Sequence, residues 1–399
     1  RYRDLYKTEA PKQAEASGYG IEVKSDVVAT AWKARINQGG DSTLTRFNVL
    51  AWNDLGRGGG QQSIAKVYGQ LCRTVWTYAT TGALKRLTWL GKQPVAAVFY
   101  PVWMLTLQML GALFGAWVLA SLVLTILGGF GAAALGLVGL SPGVVGEIGG
   151  TLLYWGVFLP AVALALRWFQ SMDRKNHAYY LMSDLAFLAS RRGAYPDELE
   201  ARLHEFRHRI EGALREEIDE VLVVGHGAGA ALAVSVAADI MRLRKGETGG
   251  PALGLVTLGQ TIPAVSFLPN AKRLRRDLRL LSDAEDVAWL DVSDPMDTRS
   301  FALTDAVSVS GVAPDRGQRW PLIATAGYAN GLSREAQDTL RGRHFRLHFQ
   351  YLCAFDRPRE YDYFQLTAGP QPLAKRLRGR RSSAQRIDVT VSQFTSMVR

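Results

Sequence analysis

The chain has 399 residues, 48% of them hydrophobic and 21% charged, and its formal net charge is +11. This mix fits a folded protein with a sizeable core, and the length allows one to three domains. Two cysteines, Cys72 and Cys353, exclude a disulfide framework and a cysteine metal site, which suits a reducing compartment.

In chain order, Tyr2–Ser17 reads as a helix with Leu5, Ala10 and Ala14 on one side, stopped by Gly18-Tyr19-Gly20. Ile21–Val23 reads as a short strand and Phe47–Trp52 as a second, ending in Asn53-Asp54. Arg57-Gly58-Gly59-Gly60 reads as a loop, and Ser63–Tyr78 as a helix.

The charge distribution then changes. No Asp, Glu, Lys or Arg occurs from Gln93 to Gly146, nor from Ile148 to Leu166. At about 1.5 Å per helical residue the second run spans roughly 28 Å, close to the bilayer core. Neither Val102–Leu127 nor Ile148–Leu166 has the polar stripe of a core helix in water. Trp103, Trp117, Tyr154, Trp155 and Trp168 add aromatics of the kind that gather at membrane interfaces. Pro101 and Pro160 are compatible with spans whose kinks are absorbed by neighbours. A two-helix transmembrane hairpin is expected, joined by Gly128–Glu147.

Lys85, Arg86 and Lys92 precede the hairpin, Arg167, Arg174 and Lys175 follow it, and the connection holds no Lys or Arg. The positive-inside rule predicts a two-span membrane protein with its soluble part on the cytoplasmic side. Membrane lipid is the expected partner of the positive charge, including the run Lys375–Arg381. Nucleic acid is not, because no aromatics interleave with that run and no nucleic-acid motif is present. Gly111, Gly115, Gly149 and Gly150 would let helices pack closely within the hairpin or between copies, so a homo-oligomer is compatible.

After the hairpin, Met172–Ser190 reads as helix. Pro196 opens another, running to about Glu217, with Asp197, Glu198 and Glu200 in its first turn. Val221–Val224, Leu253–Leu258 and Val287–Val292 read as buried strands, alternating with helices at Ala228–Arg244 and Asn270–Ser282. The expected class is α/β, a mostly parallel sheet with helices on both faces, interrupted by the hairpin. The expected division is 1–92 for the N-terminal part of the α/β domain, 93–170 for the hairpin, 171–373 for its main part, and 374–399 for a basic tail.

The sharpest local feature is Val221-Leu222-Val223-Val224-Gly225-His226-Gly227-Ala228-Gly229. A strand runs into a small-residue turn and then a helix. This resembles the nucleophile elbow, G-x-S-x-G, of the α/β-hydrolase superfamily. Gly225, His226, Ala228 and Gly229 match the Gly-His-x-x-Gly form of lipases and esterases. The central position is Gly227, where the family has its serine. Downstream, Leu255–Gln260 is similar to the Thr-Leu-Gly strand end of lipases. Trp289–Asp297 is similar to the segment that delivers the triad acid, and Arg343–Tyr351 to the His-x-x-Tyr segment.

The resemblance implies Asp297 as acid, with Asp294 as alternate and Asp291 less suited within its strand. It implies His348 as base, with His344 as alternate, and the amide of Ala228 as oxyanion donor. His226 is read as a packing residue beside the elbow. The second oxyanion amide belongs to a strand and loop expected before Arg1. The resemblance therefore implies a serine-hydrolase-like protein for an ester or lipid substrate, inactive as it stands because position 227 lacks a nucleophile. The alternative is a pseudo-hydrolase that binds an acyl ligand or a partner, or serves as a structural membrane component. No cofactor is expected. Gly225–Ala230 also fits G-x-G-x-x-A of dinucleotide-binding folds, but the following strand ends Thr257-Leu258-Gly259-Gln260, without the acid that would hold a ribose.

Overall fold

The computed structural model describes all residues except 1, 27, 29, 58–61, 138–142, 245–248 and 399. The chain forms two compact units, one made of Arg1–Leu55, Trp76–Val98 and Leu188–Arg399, the other of Gly56–Val75 and Phe99–Phe187. The second unit thus takes in the apolar hairpin, the segment 172–187 that follows it, and the segment 56–75, which Trp76–Val98 separates from it in sequence.

The first unit opens with helix α1 (Tyr2–Ser17) and an antiparallel meander, β1 (Gly20–Ser25), β2 (Ala31–Gln38) and β3 (Asp41–Asn48). β2 lies at its centre, and Trp32, Ala34 and Ile36 alternate into a core shared with Tyr6 and Phe364. This corrects the reading of Phe47–Trp52 as a strand, because pairing with β2 ends at Asn48. Beyond it the chain turns, and Arg202 clamps the turn by donating to Asp54 at 2.8 and 2.9 Å and to the Ala51 carbonyl at 2.7 Å.

Helices α2 (Ile64–Thr80), α3 (Ala83–Leu90) and α4 (Lys92–Val98) lead to α5 (Tyr100–Leu137) and α6 (Gly143–Ser171). α5 and α6 are each long and apolar enough to cross a membrane. Their large apolar side chains are mostly exposed, among them Leu107, Phe114, Trp117, Leu122, Leu152 and Leu159, as a lipid-facing surface requires and a core helix in water does not. The two helices pack on each other, with Gly150 opposite Leu124 and Gly111 opposite Phe169. α5 continues past Leu127 because the glycines there are followed by Ala132-Ala133-Ala134-Leu135, a strong helix-forming run. The rest of the predicted connection falls partly on 138–142, outside the described residues. The helix expected over Met172–Ser190 is two, α7 (Asp173–Asn176) and α8 (Ala178–Ala189), broken where His177 takes a left-handed conformation with φ 55°.

The C-terminal part contains α9 (Asp197–Leu214), β4 (Glu220–His226), α10 (Gly229–Leu243), β5 (Ala252–Leu258), α11 (Pro263–Ser266), α12 (Lys272–Ser282) and β6 (Val287–Ser293). It continues with α13 (Ala306–Val309), β7 (Leu322–Thr325), α14 (Tyr328–Gly331), α15 (Arg334–Leu340), α16 (His344–His348), α17 (Tyr363–Ala368) and α18 (Leu373–Leu377). The sheet is parallel, in the order β4-β5-β6-β7. β7 is an addition to the three strands that the sequence pattern predicts. Helices cover both faces. Gly225 lies under Ala230 and Ala233 of α10, while Gly254, whose β4 partner Leu222 points the opposite way from Gly225, lies under Leu373 of α18. The chain is therefore α/β with a four-stranded parallel sheet, and the carboxyl ends of β4, β5 and β6 converge on one edge.

Candidate active site

β4 ends at His226 and the chain reverses at once into α10. The reversal is tight: a Cβ on Gly225 would stand 2.7 Å from both Ala230 Cα and Ala233 Cβ, so only glycine lets helix and strand approach this closely. Gly227 sits at the apex with φ 58°, in the left-handed region, its N–H donating to the Leu258 carbonyl at 2.9 Å. Its carbonyl accepts from Ala230 N–H at 3.2 Å. Ala228 precedes the first turn of α10, and among the described residues its N–H has no protein acceptor. A free amide at a helix N-terminus is a donor for developing negative charge.

Asp297, in the turn that follows β6, meets His348, the last residue of α16. Asp297 Oδ2 accepts from His348 Nδ1 at 2.8 Å and from the Tyr351 hydroxyl at 3.1 Å, and Oδ1 accepts from Arg299 N–H at 3.0 Å. Burial by itself raises the Asp297 pKa. The His348 hydrogen bond and charge, with the Arg299 and Ser300 donors, outweigh burial and hold it below the usual carboxylate range. The carboxylate fixes the proton on Nδ1 of His348, so Nε2 presents a lone pair. That Nε2 lies 2.9 Å from where a Cβ on Gly227 would be. Among the described residues no side chain hydrogen-bonds it.

Three further residues hold this pair, and the sequence reading assigned them no such part. Tyr351 donates to Asp297 and accepts from Asp294 N–H at 2.9 Å, tying the acid to the end of β6. His226 donates from Nε2 to the His348 carbonyl at 2.9 Å, and the two rings lie 4.4 Å apart. Burial, then the neighbouring His348, pushes the His226 pKa down to about 3, so it is neutral. Its packing contact is thus also a positioning contact. Gly259 has φ 51°, and a Cβ there would meet Tyr351 Cε2 at 2.6 Å and both Asp297 Oδ2 and His348 Cε1 at 3.1 Å. The signal for Gly259 and Tyr351 was their place in the Thr-Leu-Gly and His-x-x-Tyr segments. Trp52 is a fourth neighbour of the turn, its Nε1 being 3.9 Å from the Cβ position on Gly229. Nothing local in the sequence connects it to the elbow.

The alternates are placed elsewhere. Asp294 accepts from Met296 N–H at 3.0 Å, Thr325 Oγ1 at 3.0 Å and Tyr328 N–H at 2.9 Å, and so joins the ends of β6 and β7. His344 Nδ1 pairs with Thr298 Oγ1 at 2.9 Å on the exposed side of α16. Asp291 is buried within β6, where burial raises its pKa to about 7 and the Thr257 hydroxyl donates to it at 2.6 Å. Among the described residues no three His, Cys, Asp or Glu side chains are grouped to hold a metal ion. The structure thus brings together Gly227, Ala228, Asp297 and His348, with an acid–base pair aimed at a turn whose apex lacks a side chain. Comparison of the chain with protein-family models, with curated proteins and with solved structures finds no match.

Proposed function

We propose that the α/β unit carries an acyl site of the serine-hydrolase kind, similar to the lipases and esterases of the α/β-hydrolase superfamily, from which the nucleophile has been lost. In this reading the chain is a membrane-anchored pseudo-hydrolase that binds an acyl or ester group and does not form an acyl-enzyme. The observation that carries it is the alignment at Gly227: left-handed backbone, and His348 Nε2 at 2.9 Å from the Cβ position while Nδ1 is held by Asp297. A serine there would have its hydroxyl within reach of a base already in the correct tautomer. The Ala228 amide supports the same reading as the donor for an acyl oxygen. A dinucleotide site fits less well, because Gln260, at the end of β5, is buried and bonded internally to Ile262 and Thr304.

A fluorophosphonate probe tests this. The wild-type chain is expected to stay unlabelled, and Gly227→Ser to be labelled at residue 227. His348 must yield by a few tenths of an ångström to admit the new Cβ, which a side-chain end can do. Labelling is expected to disappear in Gly227→Ser/His348→Ala. A folded Gly227→Ser protein that neither labels nor cleaves short-chain nitrophenyl esters would refute the reading. The anchor is α5 and α6, and the basic flanks support a cytoplasmic placement of both ends. Exposed Cys72, in a Cys353→Ser background, is then expected to react with an impermeant maleimide only in inverted vesicles.

A further inference from the structure

A second cluster of histidines lies on α9, and nothing in the acyl site uses it. His204 and His208 are four residues apart and so share one helix face. Their rings meet edge to face, centroids 4.3 Å apart at 85°, and their Nε2 atoms are 2.8 Å apart on the exposed surface. His208 Nδ1 lies 3.3 Å from Oε2 of Glu211, whose other oxygen meets Arg207 Nε at 3.0 Å. A carboxylate at Nδ1 favours the tautomer protonated there, which turns the Nε2 lone pair toward His204. A carboxylate behind one ring nitrogen, with the other nitrogen presented, is the arrangement that supports metal-bound histidines.

We infer that His204 and His208 form a surface chelate for a divalent transition cation that prefers imidazole, with Glu211 orienting His208. The Nε2 separation favours neighbouring positions of an octahedral or tetragonal shell. At metal–nitrogen bonds of ~2.1 Å such positions are about 3 Å apart, whereas a tetrahedral ion would spread them further. Two imidazoles with water in the remaining positions suit nickel or copper, whose octahedral and tetragonal shells take nitrogen together with oxygen. Without an ion, one Nε2–H donates to the other Nε2. Binding moves that proton to the same ring's Nδ1, so both lone pairs face the ion and no proton leaves. Two imidazoles are the protein ligands and water completes the shell, consistent with no three-residue group among the described residues. The spacing is His-Glu-x-x-His, but Glu205 is paired with Arg202 Nε at 3.3 Å, which sets the site apart from a metalloprotease centre in which that glutamate acts as base. The chelate would cross-link the middle turns of α9, whose buried face (Leu203, Phe206, Ile210) packs on α10 and β4.

The test is a calorimetric titration of the full, tag-free chain in detergent micelles with nickel chloride. One saturable equivalent is expected in the wild type and in Gly227→Ser alike, which separates this site from the acyl site. Binding is expected to vanish in His204→Gln and in His208→Gln, and to weaken by about tenfold or more in Glu211→Gln. The exposed positions make these variants tolerable to the fold, and matching melting temperatures without metal check this. No saturable nickel binding by the wild type, or undiminished binding by the double His→Gln variant, overturns the proposal. Undiminished binding by Glu211→Gln overturns the orienting role of Glu211.

Discussion

The two halves of the candidate site are built from different materials. The elbow is a backbone structure: Gly225 permits the close approach of α10, Gly227 holds a left-handed φ of 58°, and the turn is fixed by main-chain hydrogen bonds to Leu258 and Ala230. The acid–base half is a side-chain network in which Asp297, His348, Tyr351 and His226 satisfy one another in a buried corner. Loss of a side chain has opposite consequences in the two. At Gly227 the backbone angle itself favours glycine, so the fold has no need of a side chain there. Removal of His348 leaves a buried carboxylate without its main partner, which costs stability. Asp297 and His348 are therefore held together for structural reasons, whether or not position 227 carries a side chain.

The largest test of this contrast is catalytic. In the Gly227→Ser background, Asp297→Asn is expected to lower nitrophenyl ester hydrolysis by about 10⁴-fold, because the imidazole loses its tautomer control. Equal rates would mean the two halves do not work together. The next test is thermodynamic. His348→Ala in the wild-type chain is expected to cost about 3 kcal/mol in chemical denaturation of the micelle-solubilised protein. Gly227→Ser should cost less, about 1–2 kcal/mol, for the strained φ and the shift it forces on His348. Reversal of that order would break the comparison.

His226 brings a pH effect. Its folded pKa, about 3, lies below the ordinary histidine value of about 6.5. The unfolded chain therefore takes up a proton below about pH 6.5 that the folded chain refuses until about pH 3. Stability should fall through this window as the pH drops, by at most about 1.4 kcal/mol per pH unit. His226→Gln, whose amide nitrogen can take the place of Nε2 and keep a donor for the His348 carbonyl, should flatten that part of the melting-temperature profile. A modest effect is expected from Tyr351→Phe, about 1–2 kcal/mol, because Asp297 keeps His348 and Arg299 as donors while the Asp294 N–H loses its acceptor.

Much of this site is legible in the sequence. β4, β5 and β6 appear as apolar runs, β5 and β6 being buried almost throughout, and the glycine spacing after β4 marks a turn that few other residues can make. The choice of Asp297 over Asp294, and of His348 over His344, rests on resemblance, and it is Asp297 and His348 that are bonded to each other. Less is legible where the signal is short or the partners are distant. β7 has four residues after Pro321 and gives no periodicity to read. β2 does carry a period-two signal, Trp32, Ala34 and Ile36 alternating with Lys33 and Arg35, although the predicted strands do not include it. The polar use of Asp294 depends on Thr325 and Tyr328, about 30 residues away, which no local pattern links to it.

By itself the sequence determined the two apolar helices, the alternation of strands and helices, and the glycine turn, because these arise from the hydrophobicity and backbone freedom of neighbouring residues. Tertiary structure alone decided that β4, β5 and β6 deliver the turn, Gly259 and Asp297 to one edge, and that His348 returns to face position 227. It also decided that Tyr351, His226 and Trp52 surround them. Hydrogen bonds between residues 51 to 122 positions apart have no local signature, and only the packed sheet brings such partners within 3 Å.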